Sequence, residues 1–538
     1  MNHPISKASA AEDSDRRKDN EADSVSRPPK EDLSGKASLN ALASALEYGA
    51  RVIVSFLIKP LLLVGLGSFG FGAWNILGQM IGYMSPAGGR VGHALRWSVA
   101  QKQNSTDFKE KRQLVGNAIA VWLMFFPILL AIGMIIVWGA PIWLRAPGDL
   151  VWPIRIAAFI LLIDMIAVNL VEIPRSVLDG ENLGYKRMGF TAVLMGIGGG
   201  LTFLALHFQM GIAGVATATL LTTCLTGVFF LSVVRSYVRW FGAAKPSWQS
   251  IRKFFGLSSW FVAWFFVSQL MRSSDVVVLG LADSVELVSF YSLTKFVPET
   301  MVNLVAIVVF GVTPGLGGIF GKGDLKRAAR IRSELLALTW LVATLVGTTT
   351  VLWNQSFLQL WVGSDYGADA ATTAVIVVMM TQFVILRTDG NVIDVTLDLK
   401  LKVIIGLISA IVSLLSAAIL VGSFHLGIVG LCIGMISGRL ILSVCYPLIV
   451  GKKLNIPAKK QLVAAIRPML VSVLFMVAAV WLCQFWQATS WGMLIMTVGA
   501  TVIVLPLPML LAGLPSNIRQ QMIARIGTVL GRFRRSEK

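Results

Sequence analysis

Charge is scarce in this chain. Only 14% of its 538 residues are charged, histidines and cysteines number four each, and 28 acidic residues face 47 basic ones. With 55% hydrophobic residues, a soluble domain of this length has too little polar surface to cover itself, so the bilayer must be its solvent. The cysteines, Cys224, Cys432, Cys445 and Cys483, lie inside apolar runs without metal-ligand spacing or a loop position suited to a disulfide. They read as small packing residues, and no metal or cofactor is expected. Alternating segments of about 10 residues are missing, which excludes a membrane β-barrel. A Walker A loop is missing too: the nearest string, Gly317 to Gly323, has the wrong spacing and lacks the final Ser or Thr. No long outer loop carries catalytic acids, Arg or His, so an enzyme such as a glycosyltransferase or a polymerase is not expected.

What the chain does have is apolar runs, each long enough as a helix to cross about 30 Å of hydrocarbon. They predict an all-α, polytopic membrane protein of about fourteen spans: 42–66, 71–97, 115–138, 152–174, 189–207, 211–234, 256–280, 288–319, 335–354, 370–392, 402–422, 426–449, 466–486 and 491–512. Residues 1–38 are polar and charged and read as a disordered tail, with no signal-peptide pattern.

The loops set an orientation. Lys102, Lys109, Lys111 and Arg112 follow span 2, and Arg235, Arg239, Lys245, Arg252 and Lys253 follow span 6. Lys322, Lys326, Arg327, Arg330 and Arg332 follow span 8; Lys452, Lys453, Lys459 and Lys460 follow span 12. The segment 513–538 adds Arg519, Arg525, Arg532, Arg534 and Arg535. Loops after odd-numbered spans are nearly bare, with Arg145, Asp283, Glu286, Asp365 and Asp369. The positive-inside rule then puts both termini in the cytoplasm. The formal charge of +19 is therefore a topology signal, with attraction to anionic membrane lipids second; no nucleic acid is expected as partner.

A repeat is visible. Phe208-Gln-Met-Gly-Ile-Ala-Gly214 between spans 5 and 6 returns as Phe424-His-Leu-Gly-Ile-Val-Gly430 between spans 11 and 12, 216 residues later. Asp107-Phe-Lys109 and Asp324-Leu-Lys326 match at an offset of 217. Two loops at one offset predict a duplicated six-helix unit, with an N-lobe over 39–240 and a C-lobe over 241–455 around a central cavity. Two extra helices would fill 456–512, and a basic tail 513–538. Six is even, so both copies share one orientation and the axis relating them runs along the membrane normal. Gly196 and Gly200, and Gly430 and Gly434, stand four apart, as close helix contacts would require.

A charge in the hydrocarbon region is costly and usually faces a cavity or a partner. The chain carries Glu47, Arg51, Lys59, Arg90, His93, Arg155, Asp164, Glu172, Arg272, Asp275, Lys295, Glu299, Arg387, Asp389 and Arg439 inside spans. Glu47 with Arg51, Lys295 with Glu299, and Arg272 with Asp275 are helical neighbours that can neutralise each other on one face. Arg51, Arg90, Arg272 and Lys295 lie deeper and are the candidate substrate-binding residues: a cationic chamber suits phosphate or pyrophosphate, which guanidinium grips with paired hydrogen bonds. Asp164, Asp275, Glu299 and Asp389 are candidates for carrying a coupling proton or Na⁺. Trp74 and Tyr291, at matching offsets, read mostly as interface-belt aromatics.

The stretch Phe71-Gly-Ala-Trp74, a mid-helix glycine break, and Ala94-Leu-Arg-Trp-Ser-Val-Ala100 resemble span 2 of polysaccharide flippases of the multidrug/oligosaccharidyl-lipid/polysaccharide exporter superfamily. Val177-Leu-Asp-Gly180 and the Gly-Ile-x-Gly turns look like the same family, and the resemblance covers roughly residues 40 to 450. It implies flipping of a polyprenyl-pyrophosphate-linked oligosaccharide across the bacterial inner membrane by rocking lobes, for exopolysaccharide or O-antigen assembly, with a polysaccharide polymerase as candidate downstream partner. Departures exist. Many members have an acidic residue where this chain has Ser85-Pro-Ala-Gly-Gly-Arg90, and many have twelve spans. The alternatives are a lipid II-type flippase, whose branch also carries extra C-terminal helices, and a cation-coupled multidrug exporter. A non-transporting membrane scaffold is the third class.

Overall fold

A computed structural model describes residues 33–520 apart from 86–90, 103–104, 247, 322, 364–365, 396–398 and 517–518. Arg90, Lys322, Asp365, residues 1–32 and the end of the basic tail therefore lie outside the described residues; so do the side chains of residues 33–45 and 253–261. The described residues form helices and no strand.

The first six spans run through α1 (Leu33–Gly82), α2 (Val91–Gln101), α3 (Phe108–Trp143), α4 (Val151–Gly180), α5 (Tyr185–His207) and α6 (Gly211–Tyr237). The next six run through α7 (Trp248–Ala282), α8 (Val285–Thr294), α9 (Phe296–Gly321), α10 (Leu325–Val362), α11 (Ala370–Val395), α12 (Leu399–Gly422) and α13 (Gly427–Leu454). The last two are α14 (Ala458–Leu482), and α15 (Trp491–Val504) with α16 (Pro506–Gly513). Among the described residues, twelve helices are long and apolar enough to cross a membrane, and the pair α8 and α9, bent by 54°, makes a thirteenth if counted as one span.

The remaining expected span is hidden in α1. Its apolar part, Leu46–Gly82, has 37 residues, about 55 Å of straight helix and far more than one crossing needs. Gly67, at φ 71° and ψ 175°, breaks it where the loop between spans 1 and 2 was expected. A backbone of that sign is open to glycine without the steric cost other residues meet. α1 begins at Leu33, inside the segment 1–38 that was expected as a tail. Span 8 is not one helix over 288–319: it turns at Lys295, three residues before Pro298, whose ring leaves no N–H to donate back to the Thr294 carbonyl. Span 14 is also divided, at Pro506, whose ring removes a backbone donor.

The repeat extends to backbone detail. Gln209 and His425 take φ of 54° and 51°, and Gly211 and Gly427 take 60° and 52°. The second glycine of each turn is needed for close approach. A Cβ on Gly214 would meet Met210 Cβ at 2.3 Å, and one on Gly430 would meet Leu426 Cβ at 2.7 Å. Asp107 and Asp324 cap α3 and α10 alike, each accepting from the backbone N–H three residues on, at 3.0 Å. The paired glycines differ: a Cβ on Gly434 would lie 2.4 Å from the Ala417 backbone, whereas Gly196 and Gly200 face open space. Helix contact thus explains the spacing in span 12 and not in span 5.

The lobes meet tightly at the end away from the basic loops. A Cβ on Gly72 would lie 2.0 Å from the Val285 carbonyl, and Ser289 Oγ donates to the Ser68 carbonyl at 2.6 Å. Ile76, Leu77, Leu279 and Val288 fill the seam in one buried cluster. Midway down, the Tyr83 hydroxyl bonds Ser274 Oγ at 2.9 Å.

Candidate functional site

At the end carrying the basic loops, a recess of about 380 Å³ remains between the lobes. Glu47, Tyr48 and Arg51 reach it from α1, Arg96 from α2, Arg175 and Asp179 from α4, Arg187 from α5, and Ile307 from α9 of the other lobe. Four arginines line it against two carboxylates. Arg175 also pairs with Glu172 at 2.8 Å, which leaves the group cationic by one charge.

The ion pairs show how the recess is built. Arg187 is buried, its side chain 4% exposed. Its Nε and Nη2 donate to Asp179 Oδ1 at 3.2 and 3.0 Å, while its Nη1 makes no hydrogen bond. Arg96 approaches the other Asp179 oxygen at 3.9 Å. Glu47 accepts from Arg51 at 3.4 Å and lies 3.8 Å from Arg187 Nη1. Beside Glu47, the Tyr48 hydroxyl donates to the Thr300 carbonyl of α9 at 2.9 Å, tying the lobes together here.

The C-lobe repeats the Asp179–Arg187 pair. Lys402 donates to Asp394 at 2.6 Å, 215 residues further on, and also to the Gly390 carbonyl at 2.9 Å. Its ammonium lies 3.8 Å above the Trp264 ring, a cation–π contact in place of an open recess.

Of the expected substrate-binding residues, Arg51 lines the recess and Arg90 lies outside the described residues. Arg272 is on α7, donates to Gln269 Oε1 at 3.1 Å, and lies within electrostatic range of Arg387 on α11. Lys295 is buried at the bend of span 8 and donates to Asp275 at 3.0 Å. The expected helical pairings hold for Glu47 with Arg51 but not for the other two: Lys295 turns from Glu299 to Asp275, and Arg272 turns from Asp275 to Gln269. Sequence spacing gave those partners, but burial decides them, since the buried ammonium needs the buried carboxylate.

The expected coupling acids have unlike surroundings. Asp275 accepts from Tyr291 at 2.5 Å, from Lys295, and from the Val276 N–H at 2.9 Å. Tyr291 is thus part of a buried network and not of an interface belt. Asp389 is gripped by Arg332. Glu299 is exposed, near Lys59 and Lys295. Asp164 on α4 is half-buried, faces Thr223 of α6, and has a buried Oδ1 with no hydrogen bond.

Arg96, Arg175, Asp179 and Arg187 had not been singled out as site residues. A signal existed: the short turn after span 4 carries Lys186 and Arg187 next to Arg175, like the other basic loops. A second recess, about 420 Å³, lies away from the lobe interface between α13 and α14; its Gln461 is bound by Arg332 and belongs to the brace there.

No protein-family model matches the chain, and no curated protein matches it by sequence. Solved structures do match in fold. The lipid II flippase MurJ in an inward closed conformation gives a TM-score of 0.64 at 14% identity, over 87% of this chain and 97% of that one. An inward-facing multidrug resistance MATE family transporter of the MOP superfamily gives 0.61 at 15%, over 75% of this chain and 94% of that one. An outward-facing MATE family transporter gives 0.52 at 14%, over 78% and 95%. The chain therefore has the fold of MOP-superfamily transporters, two six-helix lobes with added C-terminal helices.

Proposed function

We propose that the chain flips polyprenyl-pyrophosphate-linked oligosaccharide units across the bacterial inner membrane by alternating access, for exopolysaccharide or O-antigen assembly. Both termini would be cytoplasmic. The observation that carries this reading is the arginine-lined recess, built by the N-lobe with Ile307 of the other lobe at its edge, and the lobes closed at the opposite end. A doubly anionic headgroup would enter there, contact Arg51, and pass to Arg90 and Arg272 as the lobes rock, while Lys295 stays paired with Asp275. Asp275 and Asp389 are held by cations, so of the four acids Asp164 and Glu299 are better placed to carry a coupling proton or Na⁺. A polysaccharide polymerase would take the product.

A lipid II-type flippase is the second reading, favoured by the larger share of this chain that the lipid II flippase covers than the MATE transporters do. A drug exporter for cations fits less well, because its cavity should be acidic. In a producing strain, Arg51→Ala and Arg272→Ala should lower polymer yield at normal expression. Unchanged yield, with raised dye or antibiotic sensitivity on gene deletion, would turn the assignment towards drug export.

A further inference from the structure

Glu47 occupies an unusual place in the recess. Its carboxylate is the anion lying between Arg51 and Arg187, yet its contacts are long, 3.4 and 3.8 Å. Charge-assisted N–H···O bonds settle at about 2.7–2.9 Å, so neither arginine is well satisfied by it. Arg187 is fixed from behind by two bonds to Asp179, which leaves its buried Nη1 facing the recess without a hydrogen bond. Two guanidinium groups are thus held apart by a gap that one carboxylate spans poorly. A diphosphate, with more oxygens spread over a greater length, would fill it.

We infer that Glu47 is a built-in stand-in for a diphosphate headgroup: it neutralises Arg51 and Arg187 while the recess is empty, and the ligand displaces it. The identity of the ligand rests on the flippase reading above. Displacement has a mechanical consequence. Tyr48, the next residue, donates to the Thr300 carbonyl across the lobe interface, and Ile307 of the same helix α9 lines the recess. Moving Glu47 off the arginines turns α1 at this point and loosens the Tyr48–Thr300 bond. Headgroup arrival and lobe release thereby become one event. The C-lobe counterpart has no such exchange, since Lys402 is closed over by Trp264 and the Gly390 carbonyl.

The test uses the detergent-solubilised full chain with inorganic pyrophosphate, followed by calorimetry, and nanodiscs holding either a polyprenyl diphosphate or phosphatidylglycerol. Glu47→Gln, which keeps the shape and removes the charge, should tighten pyrophosphate binding about tenfold, the factor that corresponds to about 1.4 kcal/mol. Glu47→Asp should stay near wild type, Arg187→Gln should abolish binding, and Tyr48→Phe should tighten it a few-fold. Pyrophosphate affinity unchanged in both Glu47→Gln and Tyr48→Phe, with melting temperatures retained, overturns the inference. An equal response to phosphatidylglycerol and to the polyprenyl diphosphate overturns the diphosphate assignment. Binding needs no transport, so the two readings fail separately. Normal polymer yield on gene deletion, with Glu47→Gln still binding more tightly, sinks the flippase reading and keeps the site.

Discussion

Arg332 of α10 grips Asp389 of α11 with two parallel bonds, Nε to Oδ1 at 2.8 Å and Nη2 to Oδ2 at 2.9 Å, and both side chains are buried. The third nitrogen of Arg332 donates to Gln461 of α14 at 2.8 Å, so this fork braces the C-lobe against the first extra helix. Leaving one member of such a pair unmatched is costly. Asp389→Asn should destabilise the protein by about 3–5 kcal/mol. Thermal melting in detergent would register the loss. The pair of changes Arg332→Met and Asp389→Leu should recover part of it. Full stability in Asp389→Asn with loss of transport would instead speak for a coupling role.

The bracket at the bend of span 8 predicts a similar asymmetry. Lys295→Met strands Asp275, while Lys295→Met with Asp275→Asn removes both charges. The single variant should express poorly and the double better. Tyr291→Phe, which withdraws one donor from the buried carboxylate, should cost about 1–3 kcal/mol. Melting curves for the three variants would check the order.

Closure at the far end can be trapped. Ser68 and Ser289 are in hydrogen-bond contact across the lobes, so Ser68→Cys with Ser289→Cys, in a background lacking the four native cysteines, should accept a short thiol cross-linker. Cross-linking should stop transport reversibly. Gly72→Ala acts in the opposite sense: its methyl collides with the Val285 carbonyl and should lower cross-linking yield by holding the lobes apart.

The turns offer a paired test of the duplication. Gly211→Ala and Gly427→Ala place a side chain at φ of 60° and 52°, and each should cost about 1–2 kcal/mol. Similar losses in melting temperature at both sites would be the signature of a shared turn. A loss at only one would show that the two copies have drifted apart in energetics.

Much of the fold was legible in the residues. Apolar runs marked the spans, and the Phe-x-x-Gly-Ile-x-Gly turn marked the duplication, because a positive φ and a crowded second glycine restrict which residues fit. The bend at Lys295 had a local signal in Pro298, which interrupts the helix ladder at Thr294, but that the turn buries Lys295 against Asp275 was visible only in the fold. Arg51 was expected as a deep cation, but its side chain is 61% exposed and lines the recess at the basic-loop end. Arg187 was not legible, because it follows span 4 in a turn, and only the fold turns it inward onto Asp179.

Hydrophobicity and basic-loop spacing alone determined that this protein crosses the membrane many times in two like-oriented halves, because the cost of moving polar groups into hydrocarbon is set residue by residue. Which charges neutralise each other, and which remain to face a ligand, was decided only by tertiary structure. Pairing depends on distances of a few ångströms between different helices, as with Arg332 and Asp389 or Glu47 and Arg187, and no spacing along one helix encodes them.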